Sequence, residues 1–403
     1  MKRLLTTTLL LSTLLASSQE TLKSSDISQY AYPFEISNKQ IVGKGADTLI
    51  TKISKSQFFL LGEQHFSPQI SELTEALIPE LKDSGYKYFA VETGPHSAKK
   101  ITDIIETKES LFDFNAQFHS TYKSIPFPFF DGIKDEVFLK KALKKDFVFW
   151  GIDQEYLSSH LFLIDDIYDI SKNKNDINVL YLKAKQYIEN EFKKYKENEG
   201  YGMFNNLLKS EIINTFFKKC KNKKQIEIIN DLRISWKIYA LYETKDYLEN
   251  TDLRMRYMKQ KFGENYFNSL KEDSHPKVVV KMGSMHLATG KNWLNIYDLG
   301  NAIKELSYLN GTKSTSVNCF ARYWIGDDGK TYDYLNKASG KDYQLVLELA
   351  QKNKWVLIDS KPILDLVRKR RIELNKNLQI LLSGFDYVLF SPTKTIVKPN
   401  FSN

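Results

Sequence analysis

The sequence predicts an α/β fold, with a mostly parallel central sheet flanked by helices and a helical insertion within it. Three observations carry this. Apolar runs of strand length alternate with amphipathic helical patterns from residue 57 onward. The runs are continuous rather than alternating, as strands covered on both faces require. One long, charged stretch of helical period, about 160–272, interrupts the alternation.

The chain has 403 residues, enough for one large α/β domain or two smaller ones. It opens "MKRLLTTTLLLSTLLASSQE": two basic residues, an apolar run to Leu15, then Ala16, Ser17 and Ser18. That is the pattern of an export signal over 1–18, too short to span a bilayer comfortably and not followed by a lipid-attachment cysteine. The expected product is periplasmic or extracellular, with no transmembrane anchor after cleavage. Residues 19–45 are polar and turn-rich and read as an N-terminal arm.

The first α/β half is expected over 46–159. "QFFLLG" (57–62) is a strand, and Ile70, Leu73, Leu77, Ile78 and Leu81 share one side of a helix over Pro68–Lys82. Ser84-Gly85 ends that helix, "YKYFAVE" (86–92) is the next strand, and "TGPHSAKKITDII" turns into a second helix. A helix around 134–145 precedes the strand "DFVFWGID" (146–153). Residues 160–275 read as an insertion or lid of three or four helices. The second half, 276–403, holds the strands "KVVVKMG", "SVNCFARYW", "KWVLID" and "DYVLF".

Composition excludes some classes. A hydrophobic content of 42% with 13% aromatics fills a core, so global disorder does not fit. The net charge of +9 arises from 58 basic and 49 acidic residues, and lysine runs such as "FKKCKNKK" read as solvated helix faces. No nucleic-acid-binding signature accompanies them, so no nucleic-acid partner is expected. Cys220 and Cys319, far apart and without metal or redox spacing, read as structural.

The functional signal lies at the strand ends. Glu63 and His65 follow "FFLLG", Glu92 follows "YFAV", Asp153 and then Glu155 follow "VFWGI", and His286 follows "VVVKMG". In open parallel sheets the ligand crevice lies beyond the carboxyl ends of the strands, so four strand ends deliver ionisable groups to one place. Each residue alone has a plainer reading, as a helix cap or a satisfied loop histidine. Together they form a cluster of carboxylates and imidazoles whose burial needs compensation. Such a cluster suits general-base hydrolysis, in which a carboxylate orients an imidazole that activates water. No G-x-S-x-G elbow and no HExxH helix is present. Two histidines with carboxylates also suit a divalent metal, so base or ligand stays open. The aromatic loop "SIPFPFFDG" (124–132) reads equally as a pocket wall or as core.

These motifs resemble the erythromycin esterase-like and ChaN-like superfamily, which includes the Tiki and TraB relatives. "LLGEQHF" is similar to its strand-terminal motif of Gly-Glu followed shortly by His, "FAVETG" to its second strand ending in Glu, and "GIDQEY" to its Gly-x-Asp element. "KMGSMHLATG" is similar to its late Gly-x-x-His strand end and "FDYVLFSP" to its closing strand, so the resemblance spans about 57–392. It implies an exported hydrolase of the erythromycin esterase type, acting on an ester, lactone or related acyl bond of a small molecule. His65 would then be the water-activating base, with Glu63 and Glu92 orienting it or balancing its charge. His286 would be a second base, acid or oxyanion partner. Asp153 and Arg254 are expected to bind substrate.

Two departures stand in the sequence. One residue separates Glu63 from His65, as in the haem-uptake branch, where the esterases have two. Met255 replaces the acid of the esterase helix pattern, although Arg254 and Met258 match it. The resemblance therefore also implies two alternatives: a haem- or iron-binding envelope protein of the ChaN type without catalysis, or a Tiki-like metal-dependent protease. Glu63, His65, Glu92 and His286 are the candidate metal ligands.

Overall fold

The computed structural model describes residues 21–107 and 109–402. The export signal expected over 1–18 lies outside the described residues. Eleven strands occur among them: β1 (Ala31–Ser37), β2 (Gln40–Val42), β3 (Phe58–Glu63), β4 (Tyr86–Val91), β5 (Val148–Gly151), β6 (Lys277–Gly283), β7 (Ser314–Ala321), β8 (Tyr323–Ile325), β9 (Thr331–Asp333), β10 (Trp355–Asp359) and β11 (Tyr387–Ser391). Nine form one sheet in the order β2-β1-β10-β11-β7-β3-β6-β4-β5, and β8 and β9 form a separate ribbon. The six strands from β5 to β11 run parallel. β10, β1 and β2 extend the other edge antiparallel. The mostly parallel sheet expected from the sequence is present.

Alternate residues of each central strand supply two separate cores. Phe59 and Leu61 of β3, Phe89 of β4 and Val279 of β6 face one way, against helices Pro68–Asp83 and Ile133–Lys144. Phe58, Leu60, Val278 and Val280 face the other, against Met258, Phe262 and Tyr266 of helix Tyr247–Ser269. Both sides of β3 are filled, and all six of its residues are buried.

The chain path places a switch point at β3. From β3 the chain moves to β4 and β5, returns to β6 between β4 and β3, and then crosses to β7 on the far side of β3. Glu63, the last residue of β3, is therefore flanked by Gly283 of β6 and Cys319 of β7. Crevices open where neighbouring strands lead away in opposite directions, beyond their carboxyl ends.

Two expectations change. The stretch 19–45 is not only an arm, because β1 and β2 within it join the sheet. Pro33 and the charged neighbours disguise an alternating strand whose Phe34 stacks on Trp355 at 5.9 Å. Between β5 and β6 there are six helices rather than three or four: His160–Asp169, Lys174–Glu197, Met203–Lys209, Glu211–Lys219, Lys223–Glu243 and Tyr247–Ser269. The continuous helical period hides a break at Ser210, which ends one helix and caps the next by accepting from Ile213 N. The last of the six covers the sheet itself, with Phe262 6.2 Å from Phe58. Cys220 and Cys319 are both buried and free. Among the described residues, no helix is long and apolar enough to cross a membrane.

The approach of helix Pro95–Glu106 to β5 depends on Gly151. A β-carbon there would lie 2.2 Å from the Gly94 carbonyl oxygen and 2.8 Å from Ala98 Cβ. Gly151→Ala is expected to lower stability by about 1–3 kcal/mol through overpacking, read from the urea midpoint. Gly290→Ala, whose β-carbon would meet no heavy atom within 4 Å, is the control and is expected to leave that midpoint in place.

Candidate active site

The switch point gathers His65, Glu63, Glu92 and His286. Gln64 is pinned to β7, its N–H donating to Cys319 O at 2.9 Å and its side-chain oxygen accepting from Ala321 N at 3.1 Å. His65 Nδ1 lies 3.2 Å from Glu63 Oε1. On its other side, His65 Nε2 lies 3.5 Å from Glu92 Oε2. Glu92 Oε2 also accepts the Gly283 N–H at 2.6 Å, and Glu92 Oε1 lies 3.5 Å from His286 Nε2. One buried carboxylate thus stands between the two imidazoles.

Gly283 makes this approach feasible. A β-carbon at that position would lie 2.7 Å from His65 Nε2 and 3.2 Å from Glu92 Oε2. The His65 ring is clamped by Phe129 of the 124–132 loop, stacked at 3.8 Å and 11°. Phe127 and Phe130 of the same loop are buried in the core, so the segment packs the interior and, through Phe129, the His65 ring. Phe66 (φ 57°) and Phe129 (φ 64°) both hold left-handed backbone, an uncommon conformation for bulky residues. Local strain of this kind persists where surrounding structure fixes a functional geometry.

The charges are ordered. Lys281 Nζ lies 2.5 Å from Glu63 Oε2, and both side chains are buried. Burial opposes ionisation of Glu63, but the Lys281 ammonium and the His65 hydrogen bond outweigh it and hold the carboxyl down at about 2. Glu63 is therefore an acceptor at neutral pH, which assigns the proton of a neutral His65 to Nδ1 and leaves Nε2 basic. The same linkage gives a sign. Stability contributed by Glu63 is fully present above the ordinary carboxylate range and lost as pH falls from there toward about 2. Behind Lys281, burial pushes Asp135 up to about 6, tempered by Lys281 and by a hydrogen bond from Ser71.

Asp153 and Arg254 meet each other. Arg254 donates from Nε to Asp153 Oδ1 at 3.0 Å and from Nη2 to Asp153 Oδ2 at 2.6 Å, and Nη2 also reaches Glu92 Oε1 at 3.1 Å. The pair ties the last insertion helix to the ends of β4 and β5. His286 Nδ1 is 2.9 Å from Asp298 Oδ2. Burial alone would lower the His286 pKa, but the Asp298 hydrogen bond and the charge of Glu92 leave it raised. Glu155 stands apart from the cluster. It caps helix Pro95–Glu106, accepting from His96 N at 2.7 Å and from the Ser97 hydroxyl.

The donor set does not fit the metal considered from the sequence. Lys281 and Arg254 already occupy the cation positions on Glu63, Glu92 and Asp153. Among the described residues, no group of three or more His, Cys, Asp or Glu is arranged to hold a metal ion.

His65 and Glu63 form part of the wall of a cavity of about 560 Å³. Much of the remaining wall is aromatic and apolar: Trp293, Phe320, Trp324, Tyr334, Tyr343 and Leu381. A space of this size and lining suits a small organic molecule.

No protein-family model and no curated protein matches the sequence. Solved structures do match. A succinoglycan biosynthesis protein superposes with a TM-score of 0.55 at 15% identity, over 93% of this chain and 97% of that one. A protein from Bacillus cereus gives a TM-score of 0.55 at 13% identity, over 93% and 98%. A mutant of the erythromycin esterase EreC in its open conformation gives 0.53 at 13% identity, over 87% and 94%. The fold that the motifs implied is the fold of these proteins.

Lys281, Asp298 and Phe129 were not singled out from the sequence as site residues. Lys281 had a usable signal, as the one charged residue inside the apolar run "VVVKMG" of a strand covered on both faces. Removing it strands a buried carboxylate. Lys281→Met is expected to cost about 3–5 kcal/mol in urea unfolding, and Glu63→Gln added to it is expected to recover part of the loss.

Proposed function

We propose that this chain, whose fold is that of erythromycin esterase, is an exported hydrolase of an ester, lactone or related acyl bond in a small molecule. The observation that carries the reading is the setting of His65, an imidazole oriented by an ionised carboxylate and placed at the wall of a substrate-sized cavity. Export rests on the basic and apolar start of the sequence.

In this reading, water beside His65 Nε2 gives up a proton to that nitrogen as its oxygen attacks the acyl carbon. Glu63, accepting from Nδ1, holds the tautomer and stabilises the imidazolium that forms, and Lys281 keeps Glu63 ionised throughout. The carbonyl electrons move to oxygen to give a tetrahedral oxyanion. Collapse of that intermediate breaks the bond to the leaving alcohol, which takes the proton back from His65. His286 does not line that cavity; its raised pKa favours the protonated form, and in this reading it meets the charge of Glu92 beside the base. Glu92 balances the charge of both histidines, and Arg254 with Asp153 fixes Glu92.

A panel of small esters and lactones tests this. The wild type is expected to hydrolyse at least one member. His65→Ala is expected to lose roughly 10²–10⁴-fold in kcat with its thermal midpoint unchanged, the range of a general base. A wild type inert across the panel, or a His65→Ala variant as active as the wild type, overturns the assignment.

A further inference from the structure

The aromatic cavity carries a charge that the hydrolytic reading does not use. Of the residues that line it, Glu63 is the only carboxylate, and Lys281 neutralises it. Two lysines also line it. Lys394 Nζ is half-buried, and its one hydrogen bond is to the His65 carbonyl at 3.3 Å. No carboxylate lies within ion-pair distance of it among the described residues. Lys337 Nζ sits 4.3 Å over the Trp324 ring and likewise has no acidic partner among them. Both lysines converge on the same short strand. Ile325 N donates to Lys394 O and Lys394 N to Tyr323 O, each at 2.8 Å, which holds Lys394 beside Trp324 while Lys337 covers its ring.

An ammonium drawn out of water without a counter-ion is unfavourable, and burial does lower the pKa of Lys394. Most other buried or half-buried cations near the site have a carboxylate: Lys281 has Glu63, Arg254 has Asp153 and Glu92, and Arg322 has Asp333. Lys394 has none, and it lines the cavity.

We infer that the cavity takes a small organic anion, with an apolar or aromatic body against Trp293, Trp324 and Tyr343 and a carboxylate, sulfonate or phosphate held by Lys394 and Lys337. This deepens the proposed function by naming the substrate class, and rests on that reading only for the statement that the ligand is hydrolysed. A cationic ligand is repelled by the same two charges.

Probe binding tests the inference without turnover. The probe 8-anilinonaphthalene-1-sulfonate and its uncharged analogue N-phenyl-1-naphthylamine differ by the sulfonate. Fluorescence titration of the wild type is expected to show about tenfold tighter binding of the sulfonate, the scale of a charge-assisted contact. In Lys337→Met/Lys394→Met the preference is expected to vanish. Lys218→Met/Lys219→Met removes the same charge from an exposed helix end and is expected to keep it. Equal affinity for both probes in the wild type overturns the inference. So does a preference that survives the cavity double variant, or one that the control variant abolishes equally. His65→Ala separates the two readings: a His65→Ala protein that keeps the sulfonate preference supports the anion site whatever the hydrolysis assays give.

Discussion

The carboxylate of Glu92 is the interaction on which the arrangement depends. It touches four parts of the chain at once: His65 beyond β3, the Gly283 N–H at the end of β6, His286 just after it, and Arg254 from the last insertion helix. A carboxylate this buried is stable only when its charge is met, and here a backbone donor and a guanidinium meet it before either histidine is counted. The histidines are then free to change protonation without exposing an unpaired anion. A side chain of any size at position 283 would displace His65 from this carboxylate, so the bare backbone there belongs to the site as much as the ionisable groups do.

A second buried pair works at a different level. Glu63 and Lys281 lie on one face of neighbouring strands because Leu61 and Lys281 are in register and Glu63 is two residues beyond Leu61. The lysine makes Glu63 a dependable acceptor, and that choice propagates to the tautomer of His65. Phe129, stacked on the ring, limits its rotation. Orientation of the His65 ring is therefore set by its neighbour Glu63 and by two residues remote in sequence, Lys281 and Phe129.

Much of the site was legible because strand ends have a signature. Glu63, His65, Glu92 and His286 each lie within three residues of the end of an apolar run, and the rule that parallel strands open a crevice at their carboxyl ends assigns them to one place. What stayed hidden lay where that rule is silent. Lys281 sits inside a strand rather than at its end, and its role depends on the register with β3, which sequence does not give. Trp324 and Lys394 belong to a small ribbon and a C-terminal segment whose partners are long-range. Arg254 and Asp153 were foreseen as substrate contacts, but each is largely occupied by the other. The strand β1, next to the edge strand β2, was missed because Pro33 and Glu35 mask its alternation, and the helix count was low because one serine divides two short helices without a glycine or proline to mark it.

The position of β6 has a consequence for how this molecule is made. That strand fills the gap between β3 and β4, yet it is synthesised only after the whole helical insertion, and the contact between Gly283 and Glu92 closes a loop of 191 residues. Until it arrives, two apolar strands present open edges, the kind of surface on which nascent chains pair wrongly with one another. Maturation therefore waits on a late, long-range docking step. A molecule caught before that step carries every residue of the histidine and carboxylate cluster and none of its geometry, so the docking of β6 separates a sticky precursor from the finished fold.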